Sequence, residues 1–183
     1  MKNAIDAILQ SFLQRQLEEG LALAAASDLL RVRPMAGIPP FQYFAQFACK
    51  GLARSRSGDI LEHDQWDIAI QFPPEYLRSP THPSQLLAFL GGGERADLLP
   101  WHPNIRDCFI CMEVTPGMTL AEILYGLFDL LTWRLYSTRD EGLNHAAAQW
   151  ARNQPPERFP IDRRPLKRRA GGTFKVEQIA VHA

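Results

Sequence analysis

Cysteine is scarce: the 183 residues contain three, an odd number that intramolecular disulfides cannot use up. That count fits free thiols in a reducing compartment better than a disulfide framework. Charge imbalance is absent too, with 20 Lys and Arg against 20 Asp and Glu. Nothing global then favours nucleic acid or an acidic membrane surface as a partner. No long apolar run occurs at the N-terminus, where residues 1–23 are amphipathic and carry Asp6, Arg15, Glu18 and Glu19. Neither a signal nor a membrane span is expected. There is no internal repeat and no low-complexity tract. The expectation is a soluble, cytoplasmic protein without a cofactor. It has one domain over residues 1–165 and a short basic tail over 166–183, and is long enough to build a core without metal or disulfide.

Periodicity predicts the elements. From residue 3 to about 30, Ile5, Ile8, Leu9, Phe12, Leu13 and Leu17 recur at helical steps, with Gly20 a point of bend or interruption. Pro34, Gly37, Pro39 and Pro40 then punctuate the chain. Phe41, Tyr43, Phe44 and Phe47 read as a first strand and as core candidates. A turn over 54–59 leads to a second strand over 60–72, antiparallel to the first, in which Trp66, Ile68 and Ile70 form one apolar face. The proline-bearing run 72–80 reads as an extended loop, and residues 85–90 as a third strand. Thr119-Leu120-Ala121-Glu122 is a capping-box signature opening a strongly apolar helix to Tyr136. Residues 143–153 read as a last helix, stopped by Pro155 and Pro156, and residues 158–169 are basic. The fold class is α+β: a four-stranded antiparallel meander on the 119–136 helix, flanked by the first and last helices. The fourth strand comes from residues 107–112 or from the strand-like part of 41–52.

The chemistry concentrates between Trp101 and Met112. His102-Pro103-Asn104 is followed, seven residues past the asparagine, by Cys111 between Ile110 and Met112. A thiolate is a nucleophile whose acyl product stays activated, and an amide N–H nearby can stabilise the oxyanion of the next attack. Three readings compete. Cys108 and Cys111 form a Cys-x-x-Cys pair, but zinc needs four ligands, and no second cysteine pair exists. A thioredoxin-type site feeds directly into a helix, whereas residues 113–117 intervene here. Burial as small hydrophobes is the ordinary fate of free cysteines. The third reading is a single thioester-forming Cys111, with Cys108 incidental.

The order of landmarks resembles a ubiquitin-conjugating enzyme. The residues that carry the resemblance are the strand 66–72, Phe72-Pro73-Pro74-Glu75-Tyr76, His102-Pro103-Asn104 and Ile110-Cys111-Met112. They continue with Pro116 before Thr119-Leu120, and Leu143-Asn144-His145-Ala146-Ala147. They run in consistent order over roughly residues 41–150. The compact loop and Arg158-Phe159-Pro160-Ile161-Asp162 look more like bacterial members, which often belong to operons for ubiquitin-like conjugation, some of them antiviral defence systems. The chain departs from the eukaryotic pattern in a shorter Asn-to-Cys spacing, in Leu77 after Tyr76, and in few basic residues on the first helix.

The resemblance implies a ubiquitin-conjugating (UBC-like) fold and an acyltransferase. Cys111 accepts a ubiquitin-like modifier from an activating enzyme as a thioester and passes it to an amine on a protein target. Asn104 stabilises the oxyanion or orders the loop. His102 holds the loop, Pro103 fixes the turn, and Tyr76 packs. Asp140, or Glu141, orients or deprotonates the incoming amine; a plain loop residue is the competing reading. The alternative function is a UBC-like module that binds a modifier or partner without catalysis.

Overall fold

The structure is a computed structural model that describes residues 6–95, 98–137 and 142–167. It is α+β. Helix α1 (Ala7–Ala25) starts where Asp6 Oδ1 accepts the Ile8 N–H at 3.0 Å. Leu9, Phe12, Leu13, Gln16, Gly20 and Leu23 are buried, the spacing of one helix face. Ile8, expected on that face, is exposed. Gly20 does not interrupt the helix. A Cβ there would stand 2.5 Å from Leu120 Cδ2, so the glycine is a point of close approach.

The main sheet is an antiparallel meander of β1 (Leu30–Gly37), β2 (Pro40–Phe47), β5 (Trp66–Gln71) and β6 (Leu87–Gly91), in that order. Its fourth strand is β1, not residues 107–112 or any part of 41–52. Leu30 and Val32 turn inward while Arg31 and Arg33 turn out. Pro34 is accommodated because β1 is an edge strand with a register shift between Pro34 and Ala36. The first helix therefore ends at Ala25, short of the expected residue 30.

The run 60–72 is not one strand. It breaks at Asp64 and Gln65 into β4 (Ile60–His63) and β5, which lie in different sheets. A second sheet orders β4, β3 (Gly51–Arg54) and β7 (Leu99–Pro100). The Trp101 N–H donates to the Leu52 carbonyl, and Ala53 faces Pro100. Alternation then points the Pro100 backbone away from β3, where a missing N–H costs nothing. The run 72–80 turns tightly instead of extending: Pro73 O accepts the Tyr76 N–H, and Glu75 O accepts those of Arg78 and Ser79. That turn drives Tyr76 inward, fully buried, with its hydroxyl donating to Met118 O at 2.7 Å. The expected third strand divides into α2 (Pro83–Leu86) and β6.

Helix α3 (Leu120–Leu131) carries the capping box of Thr119 and Glu122 and supplies the most apolar face of the core. It ends five residues before the expected Tyr136, because Trp133 takes a left-handed backbone with φ 61°. Gln16 of α1 joins the two helices: its Oε1 accepts the Leu120 N–H at 2.7 Å. Helix α4 (His145–Arg152) is capped by Asn144, whose side chain accepts the Ala147 N–H. It packs in a second, aromatic cluster with Trp101, Trp133 and Leu52. In that cluster Trp133 and Phe159 stack at 4.9 Å.

Part of the basic run after residue 158 is structural. Asp162 is buried and accepts the Lys50 N–H at 2.9 Å as well as hydrogen bonds from the Arg164 backbone and guanidinium. Leu166 lies in the core, so packing reaches the first residue of the segment expected as a tail. Arg168, Arg169 and the residues after them lie outside the described residues. Among the described residues no helix is long and apolar enough to cross a membrane.

Candidate active site

The stretch from His102 to Cys111 folds as a short hairpin of β8 (Ile105–Arg106) and β9 (Phe109–Ile110). Asp107 and Cys108 make the turn, and Asp107 takes the positive φ, 54°, that so tight a reversal needs. Ile105 pairs with Ile110, and both point into the core. Alternation puts Asn104, Arg106, Phe109 and Cys111 on the opposite face. Their exposure agrees: Asn104 is part-buried and the other three are exposed. Asn104 and Cys111 are the next cross-strand pair. The Cys111 N–H donates to the Asn104 carbonyl at 2.8 Å. Residues opposite one another in an antiparallel pair hold their Cβ atoms about 5 Å apart on one face. The thiol and the amide are neighbours by register.

His102 anchors this hairpin from below. The Asn104 N–H donates to His102 Nδ1 at 3.0 Å, which makes Nδ1 an acceptor. Nε2 must then carry the proton, and it donates to the Leu135 carbonyl at 3.1 Å. The ring is 2% exposed and meets Trp133 edge-on at 4.8 Å. Burial pushes its pKa down to about 3, outweighing the opposing effect of the Leu135 hydrogen bond. His102 is neutral near pH 7, with both ring nitrogens engaged. It has no free nitrogen with which to act as a base on substrate.

Asn104 is oriented by the segment after α3. The Ser137 N–H donates to Asn104 Oδ1 at 3.3 Å, which fixes which end of the amide is oxygen. The NH₂ end is the one left to donate. The far side of that segment is pinned as well. Asn144 N–H donates to the Pro103 carbonyl at 2.9 Å, and a Cβ on Gly142 would stand 2.9 Å from the same oxygen. Ser137 and Gly142 thus bracket His102-Pro103-Asn104 from both sides. Asp140 and Glu141 lie outside the described residues.

The three thiols divide by environment. Cys49 is fully buried, and burial pushes its pKa far above the usual thiol range, with Asp162 adding to the rise. It packs as a small hydrophobe. Cys108 and Cys111 are both exposed. Cys108 sits in the hairpin turn, where its carbonyl accepts the Phe89 N–H at 3.0 Å. Cys111 sits at the hairpin's base beside Asn104. Among the described residues no three His, Cys, Asp or Glu side chains converge as metal ligands.

Sequence reasoning missed the support of this site. The Leu135 carbonyl and the Ser137 N–H are backbone groups, and no side-chain pattern marks them. The left-handed turn at Trp133 aims them, and the stack on Phe159 holds that turn. A visible signal did exist in the aromatic residues Trp133, Tyr136, Trp150 and Phe159, which follow the apolar helix and gather in one cluster. No family model matches the chain, and no curated protein matches it.

Proposed function

We propose that the protein is a conjugating enzyme for a ubiquitin-like modifier, with a ubiquitin-conjugating type of fold and Cys111 as its nucleophile. The observation that carries this reading is the pairing of an exposed Cys111 with Asn104 on the outward face of a hairpin whose other face is core. A thiol that serves two macromolecules in turn must be reachable on a rigidly held loop. The ordered landmarks of the sequence supply the rest.

In the first step the Cys111 thiolate attacks the modifier's C-terminal carbonyl, held as a thioester on an activating enzyme. The carbon–sulfur bond to that enzyme breaks, its thiolate leaves, and a new thioester forms at Cys111 Sγ. In the second step the neutral amine of a target lysine attacks the same carbonyl carbon. The oxyanion that forms is met by the Asn104 NH₂, oriented by the Ser137 N–H on Oδ1. The carbon–sulfur bond breaks, Cys111 leaves as thiolate, and an isopeptide bond remains. The amine's proton passes to a carboxylate, for which Asp140 or Glu141 is the candidate. His102 keeps the hairpin in place and takes no proton. The setting is a bacterial conjugation pathway, with antiviral defence one such context.

The test is a thioester trap with the cognate activating enzyme, ATP and modifier. A reductant-sensitive adduct is expected on the wild type and on Cys108→Ala. It is absent from Cys111→Ala, and Cys111→Ser gives a reductant-resistant oxyester. No adduct on Cys111 while the activating enzyme is charged would sink the reading.

A further inference from the structure

Beside the hairpin lies an open cleft of about 330 Å³. Its walls come from the second sheet, the hairpin tip and the start of α4, and Arg54, Leu99, Trp101, Arg106 and His145 contribute to them. The volume falls in the range of ligand sites. Two guanidiniums face it. Arg54 lies over the Trp101 ring at 5.2 Å, which limits its freedom without neutralising it, and it makes no ion pair with any described residue. Arg106 is exposed, and its Nε stands 4.0 Å from Asp107 Oδ2, a distant contact in water that leaves most of its charge unspent. The opening of α4 adds the positive end of a helix, with only the Ala147 N–H taken by the Asn144 cap. Finally, Trp101, a residue of the cleft wall, is 6% exposed, and its buried indole Nε1 has no hydrogen-bond partner among the described residues.

We propose that this cleft binds an acidic peptide segment. Two guanidiniums and a helix start recognise carboxylates, and the exposed Leu99 beside them gives a peptide an apolar contact. Nucleic acid fits less well: two arginines make no track for a phosphate backbone, and the Asp107 carboxylate in the lining opposes either anion alike. Arg106 stands two residues along the strand from Asn104 on the same face, about 7 Å at strand rise. A segment held there runs beside the Cys111 thiol. The binding itself does not depend on the conjugating chemistry.

The experiment uses the full chain carrying Cys111→Ala, so that no thioester chemistry enters. Acetylated hexaglutamate is titrated while the indole N–H cross-peaks of the four tryptophans are followed by NMR. Trp101→Phe assigns the Trp101 peak. Hexaglutamine, a hexauridylate and inorganic phosphate serve as comparison probes. The expected result is a saturable shift of the Trp101 peak with hexaglutamate and none with hexaglutamine. Arg106→Glu, an exposed change that leaves the core untouched, weakens binding at least tenfold, and Arg106→Lys retains it. Arg54→Lys retains binding while Arg54→Gln weakens it. Three results each overturn the proposal: no shift at Trp101, a shift indifferent to Arg106→Glu, or binding of phosphate or hexauridylate as tight as that of hexaglutamate.

Discussion

The Asn104 carbonyl accepts the Cys111 N–H at 2.8 Å, while the Asn104 side chain accepts the Ser137 N–H through Oδ1. One residue therefore holds the Cys111 backbone with its own backbone and the post-α3 segment with its side chain. Substitution of the side chain leaves the first bond intact. Asn104→Ala should load modifier on Cys111 within about twofold of wild type. Discharge to free lysine should slow by about 10²-fold, the usual effect of losing one oxyanion donor. Asn104→Asp separates the two roles, because it keeps an acceptor for Ser137 but loses the NH₂. Discharge by Asn104→Asp at the wild-type rate in a single-turnover assay would remove the amide from the mechanism.

His102 links stability to pH. Its folded pKa is lowered to about 3 from the usual 6.5, because burial disfavours the imidazolium. In this range the unfolded chain binds the proton and the folded one does not. The stability that rests on neutral His102 is complete above pH 6.5 and drains away as pH falls toward 3. From about pH 7 to about pH 5 the loss is about 2 kcal/mol from this residue. His102→Gln cannot titrate, and its urea midpoint should vary less over that interval than the wild type's, while lying lower at neutral pH. Equal slopes in the two proteins would show that another group controls the acid limb.

Gln16 is the polar residue at the α1–α3 contact, 1% exposed, with Nε2 donating to Phe12 O and Oε1 accepting the Leu120 N–H at 2.7 Å. Gln16→Leu leaves the Leu120 N–H buried without that partner, at a cost of about 1–3 kcal/mol. Gln16→Glu keeps the acceptor but places a charge in the core, so it should do no better. Equilibrium urea unfolding measures both.

The legible parts of the fold were those where side chains alone decide the matter. Thr119 and Glu122 announce α3 because a capping box is chemistry within four residues. Trp66, Ile68 and Ile70 announce β5 because one face of it is core. Strand β1 stayed hidden because Pro34 reads as a breaker, and only its place at the sheet edge makes the proline harmless. The break at Asp64 and Gln65 stayed hidden because both halves of the run keep strand character, and nothing local says that they join different sheets. In the site, the spacing put Cys111 near Asn104, but the hairpin register that makes them opposite depends on the turn at Asp107. The supports at Leu135 and Ser137 are backbone atoms, placed by tertiary packing.

Asp162 shows how a residue inside a basic run can be structural, and its coupling to Arg164 gives a sharp pH test. Burial alone would raise its pKa. Hydrogen bonds from the Arg164 side chain and from the backbone N–H groups of Lys50 and Arg164 outweigh that and hold it at about 2. A carboxylate lowered in the folded state stabilises the fold above the usual 3.8, and that contribution is lost as pH falls toward 2. Arg164→Ala removes the guanidinium and leaves a buried carboxylate with two backbone donors, the Lys50 N–H at 2.9 Å and the N–H of residue 164 at 3.0 Å. Breaking a buried pair costs about 3–5 kcal/mol, but the Arg164 side chain is 41% exposed, and solvent screening reduces this to about 2 kcal/mol at neutral pH. In the variant only the two backbone N–H groups oppose burial, so the pKa of Asp162 rises and its protonated form is favoured more than in the wild type. The stability gap between wild type and Arg164→Ala should therefore shrink as pH is lowered from about 7 to about 4. The acid dependence of His102, common to both proteins, cancels in that difference. A gap that stays constant over the interval would mean that Asp162 does not need its charge to join the 158–166 segment to Lys50.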